Sequence, residues 1–181
     1  VVPVRLYALS VSQQGTFSAG LTGYGRSIGE VGQDIITELS EIQTLADVDA
    51  HHTVEDTGIV LGQAFLKALG DKKGIARFGY FVLPMDDALV LASLDFSGRM
   101  YFAYDAELKA QRLGTMETEV VKEFFMGLAS GAQMNLHIKQ LAGENTHHVV
   151  EAMFKAVAKS MDMASKVDDR IEGVLSTKGV L

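Results

Sequence analysis

Two histidine pairs set the strongest constraint on this chain of 181 residues. His51-His52-Thr53-Val54-Glu55 and His147-His148-Val149-Val150-Glu151 share His, His, Val and Glu at a constant offset of 96 residues, about half the chain. Each pair runs into an apolar stretch of helical character. The first is Ile59-Val60-Leu61, Ala64-Phe65 and Ala68-Leu69; the second is Val149-Val150, Met153-Phe154, Val157 and Met161. Recurrence at half the chain length is the mark of one supersecondary unit used twice. It predicts a single domain over 1–181, made of two repeats at about 1–85 and 86–181.

The repeated pattern has chemical content. If the Glu opens a helix, the two histidines precede it by four and three residues, positions that share a helical face. Imidazole with carboxylate is a donor set for Mn, Fe, Co, Ni or Zn, and oxygen-rich octahedral sites favour Mn or Mg. The sequence contains no cysteine, so disulfides, thiolate nucleophiles and Cys-based zinc sites are excluded. The plainer alternative is two capped helix starts with surface histidines, and the exact repetition weighs against it. The fifth histidine, His137, lies in Met134-Asn135-Leu136-His137-Ile138-Lys139. Strict alternation predicts a half-buried strand there, with His137 on its polar side.

The formal net charge is −7. This argues against a nucleic-acid binder, which needs a basic face to neutralise phosphates. A small basic pocket for one phosphorylated metabolite is compatible with it. Hydrophobic residues at 48% and charged residues at 22% describe an ordered globular chain. No apolar run approaches the ~18 residues of a membrane span, and Val1-Val2-Pro3-Val4-Arg5 lacks the features of a signal peptide. The expectation is a cytoplasmic protein, or a plastid one after removal of a transit peptide, without membrane or nucleic-acid partners.

The rest of the chain reads as strand, turn and strand over 4–23, with the turn at Gln13-Gln14-Gly15, then a helix around 30–42. A helix follows over 55–69, stopped by Gly70. Strands are expected at 76–83, 88–96 and 101–104, an amphipathic helix over 117–131, the His137 strand, and the second His-pair helix. The fold class is therefore α+β, an internally duplicated unit of mostly antiparallel sheet with helices on one face. The terminal Ser176-Thr177-Lys178-Gly179 offers hydroxyls, amides and an ammonium suited to an anion. Arg77, Arg99, Lys155 and Lys178 are candidate phosphate partners, Arg99 standing out because Ser97-Gly98-Arg99 sits where a strand turns.

Several ordered motifs together resemble the imidazoleglycerol-phosphate dehydratase family of histidine biosynthesis. They are His51-His52-Thr53-Val54-Glu55-Asp56, Pro84-Met85-Asp86, Leu94-Asp95-Phe96-Ser97-Gly98-Arg99, Asn145-Thr146-His147-His148 with Glu151, Phe154-Lys155-Ala156, and the terminal Ser-Thr-Lys-Gly-Val-Leu. The resemblance is dense from about residue 48 to the end. It implies a duplicated α+β fold and dehydration of imidazoleglycerol phosphate to imidazole-acetol phosphate. It implies two Mn ions with the substrate's ring between them as imidazolate, and loss of the C2 proton and hydroxide through a diazafulvene-like intermediate. It also implies active sites between subunits of a homo-oligomeric shell of twenty-four. Carried over by motif, the metal ligands are His51, His52, Glu55, His137, His147, His148 and Glu151. The substrate and phosphate contacts are Arg77, Arg99, Lys155, Ser176 and Lys178, and the catalytic set is Glu55, His51 and His147, with Glu55 also placed for proton transfer.

Before residue 48 the match stops. The family's Asp-His-Met stretch after Thr-Gly has Tyr24-Gly25-Arg26-Ser27-Ile28-Gly29-Glu30 in its place, with Gly29 near the expected His. Pro3 is the position nearest the family's acidic residue on the first strand. Glu30, Asp34 and Glu38 are the carboxylates available as substitute ligands. The alternative expectation is a non-catalytic or impaired relative that keeps fold, assembly and partial metal or ligand binding.

Overall fold

The structure is a computed structural model and describes residues 4–11, 17–23 and 50–179. Strands β1 (Val4–Val11) and β2 (Phe17–Gly23) form an antiparallel hairpin. Helix α1 (Ala50–Leu69) leads to β3 (Phe78–Met85), β4 (Ala88–Asp95) and β5 (Tyr101–Asp105). A short ladder of β6 (Arg112–Leu113) and β7 (Met116–Glu117) precedes α2 (Val120–Gly131), β8 (Asn135–Ala142) and α3 (Thr146–Ser165). The turn expected at 13–15 and the helix expected at 30–42 lie outside the described residues.

Four strands make the main sheet, in the order β3-β4-β8-β5. The pairs β3–β4 and β4–β8 are antiparallel, whereas β5 and β8 run parallel. The parallel pair follows from connectivity, because a parallel neighbour needs a crossover and α2 supplies it between β5 and β8. The alternation read from sequence decides which face is covered. Ala88, Val90, Ala92 and Leu94 of β4 and Leu136 and Ile138 of β8 are buried on one side. Helix α3 lies on that side. The Ser160 hydroxyl donates to Ala92 O at 3.1 Å, an interstrand carbonyl being reached from the helix. The opposite face carries the exposed Phe78, Tyr80, Val82 and Tyr101. The expected architecture, mostly antiparallel sheet with helices on one face, is the observed one.

Three phenylalanines join α2 to α3: Phe154 has its ring centroid 5.0 Å from Phe124 and 4.6 Å from Phe125. Aromatic contacts of this kind add roughly 0.5–1.5 kcal/mol to plain area burial. Helix α1 then docks on α2 by glycine against glycine. A Cβ at Gly58 would lie 2.3 Å from Phe124 O, and one at Gly62 2.5 Å from Leu128 O. Reciprocally, a Cβ at Gly127 would lie 2.6 Å from Glu55 O, and one at Gly131 2.1 Å from Ile59 O. The obstacle is backbone in all four cases, so the helices cross at a separation that only glycine permits. This crossing fixes where α1 carries His51, His52 and Glu55. Among the described residues no helix is long and apolar enough to cross a membrane.

Candidate functional site

Both His pairs sit inside helices, not ahead of them. Each helix has 20 residues, and α1 starts at Ala50 while α3 starts at Thr146. The expectation that Glu55 or Glu151 opens the helix is corrected accordingly. For α3 the reason is visible: Asn145 is the N-cap, its side-chain oxygen accepting from the backbone N–H of His147 at 2.9 Å and of His148 at 3.4 Å. A capping Asn satisfies donors that a helix start leaves open and moves that start upstream of the histidines. His51 and Glu55, like His147 and Glu151, are thereby spaced i and i+4 on helical backbone.

The α3 set is held in two groups. His147 Nε2 lies 3.4 Å from Glu151 Oε2, and the other oxygen of Glu151 accepts from Lys155 Nζ at 2.5 Å. His, Glu and Lys thus form a stripe with one turn between neighbours. His148 faces the β3–β4 turn, its Nδ1 2.6 Å from Asp87 Oδ1 and its Nε2 3.4 Å from Asp86 Oδ2. Asp87 also accepts from the backbone N–H of Glu144 at 2.6 Å and of Asn145 at 3.0 Å. These two backbone bonds, with His148 third, hold the Asp87 carboxyl far below the usual carboxylate range. An ionised carboxylate only accepts, so the Nδ1 proton of His148 points at Asp87, while Nε2 stands beside the Asp86 carboxylate. Asp86 and Asp87 were not among the sequence-predicted site residues. Their signal was the two acids in the Pro84-Met85-Asp86-Asp87 turn, but only the fold brings that turn to the start of α3.

His137 is exposed on β8, opposite Ser93 and Ala103, with its ring 5.4 Å from that of Tyr101. The polar side read for it is therefore the outward sheet face, away from the α3 packing. His51 and His52 stand with ring centroids 6.0 Å apart at the start of α1, and Glu55 is half-buried one turn on. Among the described residues, no three His, Asp or Glu side chains converge as a metal-holding group. Among the described residues the seven predicted ligands thus stand as the α1 set, the α3 set and His137 by itself, and are not gathered into one shell.

The predicted anion contacts fare differently. Arg77, Arg99, Ser176 and Lys178 all line one cavity of about 710 Å³, which Arg170 and Thr177 also border. Lys155 is not among its lining residues and is engaged by Glu151 instead. The C-terminal segment reaches the cavity because it is stitched to the loop after α1. Gly74 N donates to Gly173 O and Asp168 N to Gly74 O, each at 2.8 Å, and Lys73–Val174 and Ile75–Val167 form bridges. Arg99 is set by its own turn. The buried Ser97 hydroxyl donates to Arg99 O at 3.0 Å, and Asn135 Nδ2 donates to the same oxygen at 2.8 Å. Lys72, in the loop after α1, is buried and its Nζ donates to Phe96 O at 3.2 Å. Burial pushes the Lys72 ammonium down from its ordinary value, with Asp95 acting in the opposite direction.

At the rim, Arg170 lowers the Asp168 carboxyl from 3.8 to about 2, by its side chain first and its backbone N–H second. A depressed carboxylate contributes stability that is present above the unfolded value and lost as pH falls through the folded one. The Asp168 contribution is therefore complete above about pH 4 and disappears towards pH 2. A carboxyl-carbon NMR titration is expected to place the Asp168 midpoint near 2; a midpoint near 3.8 would contradict the pairing with Arg170.

The comparisons with known proteins bear on this geometry. The family profile described as imidazoleglycerol-phosphate dehydratase matches residues 36–161. A profile described as conjugal transfer protein TrbL matches residues 1–69, less than half of the chain and partly the same residues. The imidazoleglycerol-phosphate dehydratase of Acetivibrio thermocellus is 61% identical over 135 residues, covering 75% of this chain and 69% of the relative. That of Lachnoclostridium phytofermentans is 62% identical over 134 residues, covering 74% and 68%. Among solved structures, the Staphylococcus aureus enzyme aligns with a TM-score of 0.65 at 41% identity, covering 66% of this chain and 70% of that one. The Pyrococcus furiosus enzyme, solved in complex with (S)-C348, aligns with a TM-score of 0.65 at 46% identity, covering 72% and 71%. A profile match over most of the chain, together with relatives this similar, leads to one conclusion: the chain belongs to the imidazoleglycerol-phosphate dehydratase family, hydro-lyases of histidine biosynthesis.

Proposed function

We propose that this chain dehydrates imidazoleglycerol phosphate to imidazole-acetol phosphate with two Mn ions, in a homo-oligomer whose sites are completed between subunits. The observation that carries the reading is the gathering of Arg77, Arg99, Ser176 and Lys178 around one cavity, in a chain that also presents two His-His-x-Val-Glu helix starts. Guanidinium, ammonium and hydroxyl donors are the set that recognises a phosphate monoester. The donors near α3 suit Mn in kind. His148 is oriented by Asp87 with Nε2 beside the Asp86 carboxylate, and Glu151 presents carboxylate oxygens beside His147. They do not suffice in number, since six-coordinate Mn needs more donors than one pair provides. The missing donors are assigned to the α1 set His51, His52 and Glu55, to His137, and to neighbouring copies in a shell of twenty-four subunits.

Bound Mn would supply Lewis acidity and a template for the imidazole ring. The chain's own residues would do the rest. The cavity cations hold the phosphate and so fix the carbon chain. Glu55, in a catalytic set with His51 and with His147, would move the proton lost from C2 while hydroxide leaves as water. Lys155 keeps the Glu151 carboxylate in place. A dehydration assay on chelator-treated protein, with and without added Mn, tests this. Turnover restored by Mn supports the reading, and Mn-independent turnover or none refutes it. Asp87→Ala is expected to weaken Mn binding by ~10–100-fold, the usual effect of removing a carboxylate that orients a ligating His, measured by competition with a fluorescent chelator.

A second reading is a non-catalytic relative that keeps fold, assembly and partial binding. What favours it is that the family profile begins at residue 36, leaving Gly29, where the family has a His, outside the match. Restoring His at Gly29 and Glu at Pro3 would then create or greatly raise activity, and no gain would count against this reading.

A further inference from the structure

Arg77 is the most heavily engaged of the cavity cations, and its partners are protein groups. Nε donates to Asp95 Oδ1 at 2.6 Å, Nη2 to Asp95 Oδ2 at 3.0 Å, and Nη1 to the Leu175 carbonyl at 2.6 Å. A guanidinium has five N–H donors, so two remain for a ligand. The side chains of Arg77 and Asp95 are only 14% and 20% exposed, and the Arg77 guanidinium stacks 4.7 Å from the Phe78 ring centroid. The Arg77 backbone holds φ at +67°, a left-handed conformation that a non-glycine residue keeps only where its surroundings enforce it. Its N–H donates to Ala164 O and its carbonyl accepts from Phe96 N. Backbone and side chain are thus both constrained, and the side-chain constraint is Asp95.

We propose that Asp95 is a positioning residue for the phosphate-binding end of the site: it grips Arg77 in a bidentate pair, aims the two remaining N–H groups into the cavity, and lets Nη1 hold the Ser-Thr-Lys segment through Leu175 O. The inference rests on the reading of the cavity as a phosphate site. Its neighbour in register supports it. Asp95 pairs across the sheet with Asn135, and Asn135 holds the Arg99 carbonyl. Adjacent residues of one row across the sheet therefore place both arginines.

The proposal has a sign that simple charge counting contradicts. A carboxylate beside an anion site repels the anion, so Asp95→Asn should tighten phosphate if charge alone matters. Positioning predicts the reverse, because Asn offers one acceptor to a fork built for two. The test is calorimetric titration of the full chain with inorganic phosphate, for wild type, Asp95→Asn, Arg77→Lys and the double variant, with steady-state kinetics on imidazoleglycerol phosphate alongside. Phosphate affinity is expected to fall at least ~10-fold in Asp95→Asn, with KM raised similarly and kcat changed less than ~3-fold. In the Arg77→Lys background, where no bidentate pair exists, Asp95→Asn should have no further weakening effect. Asp95→Glu should recover part of the affinity. Unchanged or tighter phosphate binding in Asp95→Asn, a full weakening in the Arg77→Lys background, or no phosphate binding by wild type would each overturn the proposal. Wild type that binds phosphate but gives no turnover would sink the dehydratase reading while leaving the positioning role standing.

Discussion

Gly62→Ala is expected to lower the thermal unfolding midpoint by a few degrees, up to about 8 °C. Two effects compete. Alanine gains about 1 kcal/mol over glycine in a helix interior, so a solvent-exposed Gly62 would make the variant more stable. Here the new methyl would stand 2.5 Å from Leu128 O and 2.6 Å from Ala132 N. Neither atom is a flexible side-chain tip, so one whole helix must shift. Overpacking of this kind costs typically 1–3 kcal/mol, and more where backbone is the obstacle. At roughly 2–4 °C per kcal/mol for a chain of this size, the overpacking term wins. Differential scanning calorimetry settles the sign: a rise in midpoint would mean that α1 is not docked on α2 through this face.

His147→Ala should do the opposite. Its side chain is 29% exposed, and its contact with Glu151 is a partly solvated i, i+4 pair worth less than about 1 kcal/mol after screening. Stability should barely move. If His147 is bonded to Mn as proposed, its loss should cost more than the ~10–100-fold of losing an orienting partner, so Mn affinity is expected to fall by more than ~100-fold and turnover with it. Equilibrium dialysis against Mn, with the thermal midpoint as a folding control, reads both. A variant with wild-type Mn binding would remove His147 from the ligand set. The two substitutions thus separate the glycine crossing that positions α1 from a residue proposed as a metal ligand.

Local patterning made much of this molecule readable in advance. Alternation around His137 named the covered and open faces of β8, and the apolar side of α2 was visible in Val120, Val121, Phe124, Phe125 and Leu128. The donors of the Ser-Thr-Lys segment are a weak anion signal by themselves, and it is the fold that lines Ser176, Thr177 and Lys178 up with Arg77 and Arg99 around one cavity. What escaped the sequence depends on distance between segments. Nothing near Asp87 announces that it receives the two N–H groups before α3 and the ring of His148. Asp95 sits at the end of an ordinary strand, and the bidentate pair it makes with Arg77 appears only when the fold brings the two together. The short β6–β7 ladder is not legible because two-residue strands have no period, nor is the parallel β5–β8 pairing, because each strand's own alternation does not say which distant strand lies beside it. The helix expected over 55–69 begins at Ala50 in the structure, because an acidic residue in the second turn resembles a helix opening when seen in sequence alone.

The most direct test of the account is the number of Mn ions bound per chain, measured by plasma mass spectrometry on dialysed protein, in the same preparation as a dehydration assay on imidazoleglycerol phosphate. The account predicts two Mn per chain and formation of imidazole-acetol phosphate. One Mn or none, with no product, would contradict it and leave a folded member of the family whose residues no longer complete the site.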